Sequence, residues 1–232
     1  MNWAASIQNV VRALMKLLYK IEIRGQENIP TTGAVVLCAN HSALIDGIVL
    51  LVAGNRPLTV VAKFELFKPP FGFLFKHGDG IAIDWKSPDR DALKKSIDAL
   101  HNRKALGIFP EGTRCRGQYD WLKDGVTYVL AHVFNAGVQP AVVPVTILGT
   151  RPTGKSKSYF TPFGSRIVID VAPPLDIQTI DFASVDPTNR REIDIAGERL
   201  RLMLEAQVRL AEERSGISMP EDDVSDYRER LV

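Results

Sequence analysis

The sequence is poor in the residues that most often hold metals or cross-link a chain. Its 232 residues include two cysteines and four histidines, and none of them shows CxxC or another zinc-type spacing. Cys38 lies in an apolar run and Cys115 in a polar loop, so no disulfide framework is predicted and the count is typical of a reducing compartment. We therefore expect no metal and no cofactor.

An excess of one charge is also missing, because 29 basic and 27 acidic residues leave a formal net charge of +2. This balance gives no reason to expect nucleic acid as a partner. Residues 125–150 contain no Asp, Glu, Lys or Arg, but they include Asn135 and two prolines. A spanning helix needs about 20 unbroken apolar residues. We therefore predict a helix ending near Asn135, a turn and a buried strand, and no transmembrane helix.

Short apolar runs alternate with helical patterns along the rest of the chain. The predicted strands are residues 35–39, 59–62, 81–83, 105–109, 141–147 and 166–172, and the clearest helices are residues 88–102 and 189–213. Several runs are apolar throughout, which is typical of strands buried on both faces. The pattern predicts an α/β fold with a mostly parallel central sheet flanked by helices.

The N-terminal segment has helical spacing and no acidic residue. Its apolar stripe consists of Ile7, Val10, Val11, Leu14, Leu17 and Leu18, with basic residues beside it. A basic amphipathic helix is typical of a membrane surface, and packing on the domain is the alternative. We predict three parts: a membrane-associating helix at 1–20, the main domain at 21–214 and a polar tail at 215–232.

The stretch "NHSALID", residues 40–46, follows an apolar run directly and places His41 five positions before Asp46. In a regular helix, residues five apart point about 140° away from each other. The two side chains therefore meet only if the chain turns near Ser42. A carboxylate on one imidazole nitrogen fixes the tautomer and leaves the other nitrogen to take a proton from a substrate. By itself the pair also fits a satisfied histidine beside a helix cap.

The stretch "FPEGTRCRG", residues 109–117, follows another predicted strand. Gly112 lets the loop turn tightly. The side chains expected to project from the same strand end are Glu111, Thr113, Arg114 and Arg116. The planar guanidinium of arginine is suited to phosphate, although the stretch lacks the GxxxxGK[ST] pattern of a phosphate loop. A solvated turn is the alternative for this loop alone.

The stretch "KFELFKPPFGFLFKHGDGIAIDW", residues 63–85, sets phenylalanines among lysines. They are Phe64, Phe67, Phe71, Phe73 and Phe75, with Lys63, Lys68 and Lys76 between or beside them. This mixture fits an acyl chain or a bilayer interface, and a core-packing turn is the alternative.

Taken in this order, the three stretches resemble the 1-acyl-sn-glycerol-3-phosphate acyltransferase family of glycerolipid acyltransferases. "NHSALID" resembles its His-x4-Asp motif, "FPEGTR" matches its glycine-containing motif, and "VVPVTI" at 142–147 is similar to its proline-containing strand. The resemblance covers about residues 20–175 and implies the glycerol-3-phosphate acyltransferase-like fold.

The resemblance implies an enzyme that moves a fatty acyl group from acyl-CoA or acyl carrier protein to the sn-2 hydroxyl of 1-acyl-glycerol-3-phosphate. The product is phosphatidic acid, in phospholipid biosynthesis. His41 is then the general base and Asp46 orients it. The candidate oxyanion donors are backbone N–H groups near the start of the helix after His41 or in the Gly112 loop. The implied substrate-binding residues are Lys63, Glu111, Gly112, Thr113 and Arg114. The expected partners are the donor, the lysophospholipid acceptor and a membrane surface, with the protein peripheral on the cytoplasmic side of the cell membrane.

One departure concerns position 85, where the family usually has an arginine and this chain has Trp85. Either Lys86 or Arg116 supplies that charge or the acceptor has another head group, so a different lysolipid acceptor stays open. Two further hypotheses come from other classes of protein. They are a thioesterase or lipid hydrolase, with His41 activating water, and a non-catalytic lipid-binding protein.

Overall fold

The computed structural model describes residues 3–68, 72, 79–83, 90–114, 117–151 and 161–220. The helices are α1 (Trp3–Leu18), α2 (Asp46–Ala53), α3 (Arg90–His101), α4 (Asp124–Asn135) and α5 (Arg190–Ser215). The strands are β1 (Lys20–Arg24), β2 (Val35–Ala39), β3 (Leu58–Lys63), β4 (Ile81–Ile83), β5 (Ala105–Ile108), β6 (Ala141–Leu148) and β7 (Arg166–Val171).

These strands form one seven-stranded sheet in the order β1-β7-β6-β2-β5-β3-β4. Every neighbouring pair is parallel except β6 and β7, which are antiparallel. The α/β fold with a mostly parallel sheet is therefore confirmed. The sequence did not predict β1, because its "KIEIR" pattern is short and follows the N-terminal helix without a turn signal.

Helices cover both faces of the sheet. In β2, Val36 and Cys38 belong to the core cluster that α3, α4 and α5 cover. Val35 and Leu37 belong to the cluster under α1 and α2. This arrangement explains why β2 is apolar at every position, since neither of its faces meets water.

The three strands that precede the sequence motifs are neighbours in the sheet. The strands β2, β5 and β3 lie side by side and run in the same direction. Their carboxyl ends lead directly to His41, to Glu111 and to Lys63. The topology thus brings residues that are far apart in sequence to one edge of the sheet, where α/β proteins bind their ligands.

Helix α1 has two apolar faces. Val11 and Met15 are buried in the core cluster that includes α2. Val10, Leu14 and Leu17 lie on another face and are 69%, 52% and 82% exposed. One face of α1 therefore packs on the domain and the other faces outward, and the membrane-associating role stays a prediction. No helix in the described part of the chain is long and apolar enough to cross a bilayer.

The segment after α5 begins with a tight turn. Gly216 has φ +67°, the left-handed conformation that favours glycine at a helix end. Met219 is buried, and its backbone N–H donates to Glu212 Oε1 at 2.6 Å. The start of the predicted tail therefore packs on the domain, while residues 221–232 lie outside the described residues, as do Trp85, Lys86, Cys115 and Arg116.

Candidate active site

His41 and Asp46 are in direct contact, with 3.0 Å between His41 Nδ1 and Asp46 Oδ2. The chain turns at residues 43–45 before α2 begins at Asp46. This bend is the one that the five-residue spacing requires. The sequence prediction that the strand-to-helix junction brings the two side chains together is confirmed by this distance.

The Asp46 carboxylate also shapes the turn that carries His41. Its Oδ2 accepts hydrogen bonds from the backbone N–H groups of Ser42 and Ala43, both at 2.7 Å. The side chain is fully buried, and its Oδ1 has no hydrogen-bond partner among the described residues. All of the identified bonds therefore meet at one oxygen, which fixes the imidazole and the turn relative to each other.

The His41 ring lies between this buried carboxylate and an open cavity. It stacks on Phe109, with ring centroids 4.3 Å apart and 29° between the planes, and its side chain is 20% exposed. Because Nδ1 is held by Asp46, Nε2 is the nitrogen left for a molecule in the cavity. This is the geometry of a general base with a fixed tautomer.

The cavity next to His41 has a volume of about 520 Å³. Four of the predicted substrate-binding residues line it: Lys63, Gly112, Thr113 and Arg114. Most of the remaining wall is apolar and comes from β3, α3 and α4. The cavity thus combines an imidazole nitrogen, cationic groups and an apolar wall, which suits a substrate with both a charged and an apolar part.

Glu111, the fifth predicted substrate-binding residue, does not line this cavity. It is fully buried, where Oε2 accepts the backbone N–H of His41 at 2.7 Å and Oε1 accepts the N–H of Tyr119 at 3.2 Å. A carboxylate engaged in this way behind the histidine does not fit direct contact with substrate. The structure indicates a positioning residue. No sequence pattern predicts this role, because both partners are backbone N–H groups and one of them, that of His41, is 70 positions away.

Tyr119 forms a second support that the sequence did not predict. Its backbone has φ +55°, which is uncommon for a residue other than glycine. Its hydroxyl donates to the Cys38 carbonyl at 3.2 Å, and its own carbonyl accepts Nη1 of Arg201 at 2.9 Å. The loop that holds Glu111 is therefore fastened both to β2 and to α5.

Several backbone N–H groups around His41 and Gly112 are already engaged in hydrogen bonds. The N–H groups of His41, Ser42 and Ala43 donate to carboxylates, and that of Gly112 donates to the Phe109 carbonyl at 3.0 Å. The N–H groups of Ser42 and Ala43 therefore fix the turn, and oxyanion binding by N–H groups near the start of the helix after His41 stays a prediction.

One observation concerns a possible protein nucleophile at the site. Cys38 lies close behind it, and burial raises the pKa of its thiol to about 12, which disfavours a thiolate nucleophile. Within the described residues, no group of three or more His, Cys, Asp or Glu side chains is arranged to hold a metal ion.

The sequence profile of the Acyltransferase family matches residues 20–148, which is more than half of the chain. The chain therefore belongs to the acyltransferase family. The matched range includes β1 to β6 and both motifs at the cavity.

The chain is also similar to individual proteins of this family whose names state an activity. A 1-acyl-sn-glycerol-3-phosphate acyltransferase of Borreliella burgdorferi is 29% identical over 168 residues, which are 68% of this chain and 62% of the relative. A relative of the same name from Chlamydomonas reinhardtii is 34% identical over 165 residues, 67% of this chain and 47% of the relative.

The solved structure of the 1-acyl-sn-glycerophosphate (LPA) acyltransferase PlsC from Thermotoga maritima has the same fold. Its TM-score is 0.62 at 24% sequence identity, and the match covers 91% of this chain and 79% of that chain.

Proposed function

We propose that this protein is a 1-acyl-sn-glycerol-3-phosphate acyltransferase, which esterifies the sn-2 hydroxyl of lysophosphatidic acid and forms phosphatidic acid. The donor is a fatty acyl thioester of coenzyme A or of acyl carrier protein. The observation that carries the proposal is the His41–Asp46 pair, at 3.0 Å, on the wall of a cavity with cationic and apolar parts. The names of the relatives support the choice of acceptor.

The reaction needs no nucleophile from the protein. Nε2 of His41 takes the proton of the acceptor hydroxyl as its oxygen attacks the thioester carbonyl. A C–O bond forms and the C–S bond breaks, and the leaving thiolate receives the proton from the imidazolium. Asp46 holds the imidazole through Nδ1 and stabilises its charged form between these two transfers.

The two ends of the substrate fit different walls of the cavity. Arg114 and Lys63 provide positive charge for a phosphate group, and a guanidinium fork suits a phosphomonoester well. The apolar walls from β3, α3 and α4 suit the fatty chain. Glu111 stands behind His41 as a positioning residue in this scheme.

The enzyme acts at the cytoplasmic surface of the cell membrane, where its acceptor and product reside. The exposed face of α1, with Val10, Leu14 and Leu17, supports this proposal, as does exposed Lys16 beside it. Phe64 is also exposed and lies next to the cavity residue Lys63. Apolar side chains with neighbouring lysines are typical of interfacial helices.

An acceptor screen tests the proposal. Purified protein receives a radiolabelled acyl-CoA with lysophosphatidic acid, with another lysophospholipid or with no acceptor, and the labelled products are separated. We expect phosphatidic acid only in the first reaction. Transfer to the other lysolipid would assign that lipid as the acceptor in place of lysophosphatidic acid. Free fatty acid released at the same rate without any acceptor would favour a hydrolase.

Arg114→Ala tests the phosphate contact within the same screen. We expect KM for lysophosphatidic acid to rise while KM for the donor changes little. Arg191, an exposed residue on α5, provides the matched control Arg191→Ala. Unchanged acceptor kinetics in Arg114→Ala would contradict the assignment of Arg114.

Membrane attachment has its own test. The triple variant Val10→Ser, Leu14→Ser, Leu17→Ser keeps the packed face of α1 and removes the exposed one. We expect it to lose flotation with anionic liposomes while its circular dichroism spectrum stays unchanged. Flotation equal to that of the unaltered protein would exclude α1 as the membrane anchor.

A further inference from the structure

Lys123 is a cation on the wall of the catalytic cavity that the scheme above does not use. It lies directly before α4, and its backbone N–H donates to the Pro110 carbonyl at 2.8 Å. Pro110 begins the loop that carries Thr113 and Arg114. The hydrogen bond therefore fixes the backbone of Lys123 relative to the residues that face the substrate.

The charged side chains that the structure describes along this wall have one sign. Lys63, Arg114 and Lys123 line the cavity together with His41, and no aspartate or glutamate among the described residues does so. Lys123 itself is exposed, and within that part of the chain it forms no ion pair. Positive groups that surround a partly apolar cavity without a carboxylate create a positive potential, and an anionic ligand is attracted to it.

We propose that Lys123 is a substrate-binding residue that contacts a phosphate group in the cavity. An ammonium group on a flexible stem binds phosphate as a point charge, so Lys123 adds to the directional contact that Arg114 makes. The inference rests on the proposed function, because the phosphomonoester of the acceptor is the first source of this group. The phosphates of coenzyme A are the second source of the same chemistry.

The test compares three variants of the full chain. Lys123→Met removes the charge and keeps the length of the side chain, and Lys123→Arg restores a charge. Lys95→Met is the matched control, because Lys95 is exposed on α3 and does not line the cavity. Loss of one charge-assisted contact raises KM for lysophosphatidic acid by about 10- to 100-fold with little change in kcat. We expect Lys123→Arg to recover most of this loss and Lys95→Met to show none.

Two substrate changes identify the source of the phosphate. With 1-monoacylglycerol, which has no phosphate, Lys123→Met and the unaltered protein should have equal KM for the acceptor if the acceptor is the source. With acyl-pantetheine in place of acyl-CoA, an effect on the donor KM should disappear if coenzyme A is the source. Either pattern supports the contact, whereas unchanged KM for both lysophosphatidic acid and acyl-CoA would overturn it.

Direct binding separates this inference from the proposed function. Isothermal titration with lysophosphatidic acid and with 1-monoacylglycerol, both below their micelle concentrations, needs no turnover. Weaker binding of the phosphate-bearing lipid alone by Lys123→Met supports the contact even if the protein fails to acylate lysophosphatidic acid. Equal loss of both lipids would show a general structural effect and would count against the inference.

Discussion

The carboxylate of Glu111 accepts the backbone N–H of His41 at 2.7 Å, although 70 residues separate them in the chain. Asp46 holds the ring of the same histidine at 3.0 Å. His41, the proposed general base, is thus fixed through its main chain by one buried carboxylate and through its side chain by another. Both carboxylates lie at the carboxyl ends of the neighbouring strands β2 and β5.

Glu111→Gln tests the positioning role. The amide side chain has one acceptor oxygen, so it must present an NH₂ group to either the His41 or the Tyr119 N–H, and one buried donor loses its partner. We expect kcat to fall with little change in the acceptor KM, and the free energy of unfolding to fall by about 1–3 kcal/mol. Steady-state kinetics and urea unfolding measure both quantities. A raised acceptor KM with unchanged kcat would instead support direct contact between Glu111 and substrate.

Asp46→Asn separates the two roles of that carboxylate. The amide oxygen still accepts the N–H groups of Ser42 and Ala43, so the turn is expected to persist. The charge that stabilises the imidazolium is lost, and we expect kcat to fall by about 10²–10⁴-fold. Asp46→Ala, which also removes the acceptor for both N–H groups, provides the comparison and should lower the melting temperature as well. Activity near that of the unaltered protein in Asp46→Asn would contradict the need for a charge.

Cys38 is predicted to be unreactive in the folded protein. Burial raises the pKa of its thiol to about 12, so at pH 8 almost all of it is the protonated, non-nucleophilic form. A Cys115→Ser background leaves Cys38 as the single thiol. We expect no labelling by a disulfide reagent until urea unfolds the chain. Rapid labelling of the native protein would contradict this prediction. It would show that the reagent reaches the Cys38 thiol in the folded chain.

The strands that the sequence predicted are those whose local hydrophobic pattern is sufficient to identify them. Strand β2 is apolar at five positions because helices cover both faces, and no other element competes for that pattern. Strand β1 alternates apolar and charged residues, and it becomes a strand by pairing with β7. That partner lies more than 140 residues away, so no local pattern shows the pairing.

In the candidate site, too, the features set by local sequence were predicted, and those set by the packing of distant segments were not. The contact between His41 and Asp46 depends on a local turn. Their spacing of five residues was enough to predict that turn. The burial of Glu111 depends on the packing of two loops, and the sequence shows only that both motifs end strands. Lys123 lies at the cavity because its backbone N–H bonds to the Pro110 carbonyl. The local sequence "YDWLKDG" contains no pattern that predicts this contact.

In the proposed reaction, the imidazole of His41 takes the proton of the acceptor hydroxyl. The most direct measurement is single-turnover transfer of a labelled acyl group from acyl-CoA to lysophosphatidic acid by His41→Ala, with binding of both substrates measured separately. We expect retained folding, substrate affinities within a few-fold of those of the unaltered protein, and a transfer rate lower by about 10²–10⁴-fold. A His41→Ala variant that transfers the acyl group at the original rate would contradict it.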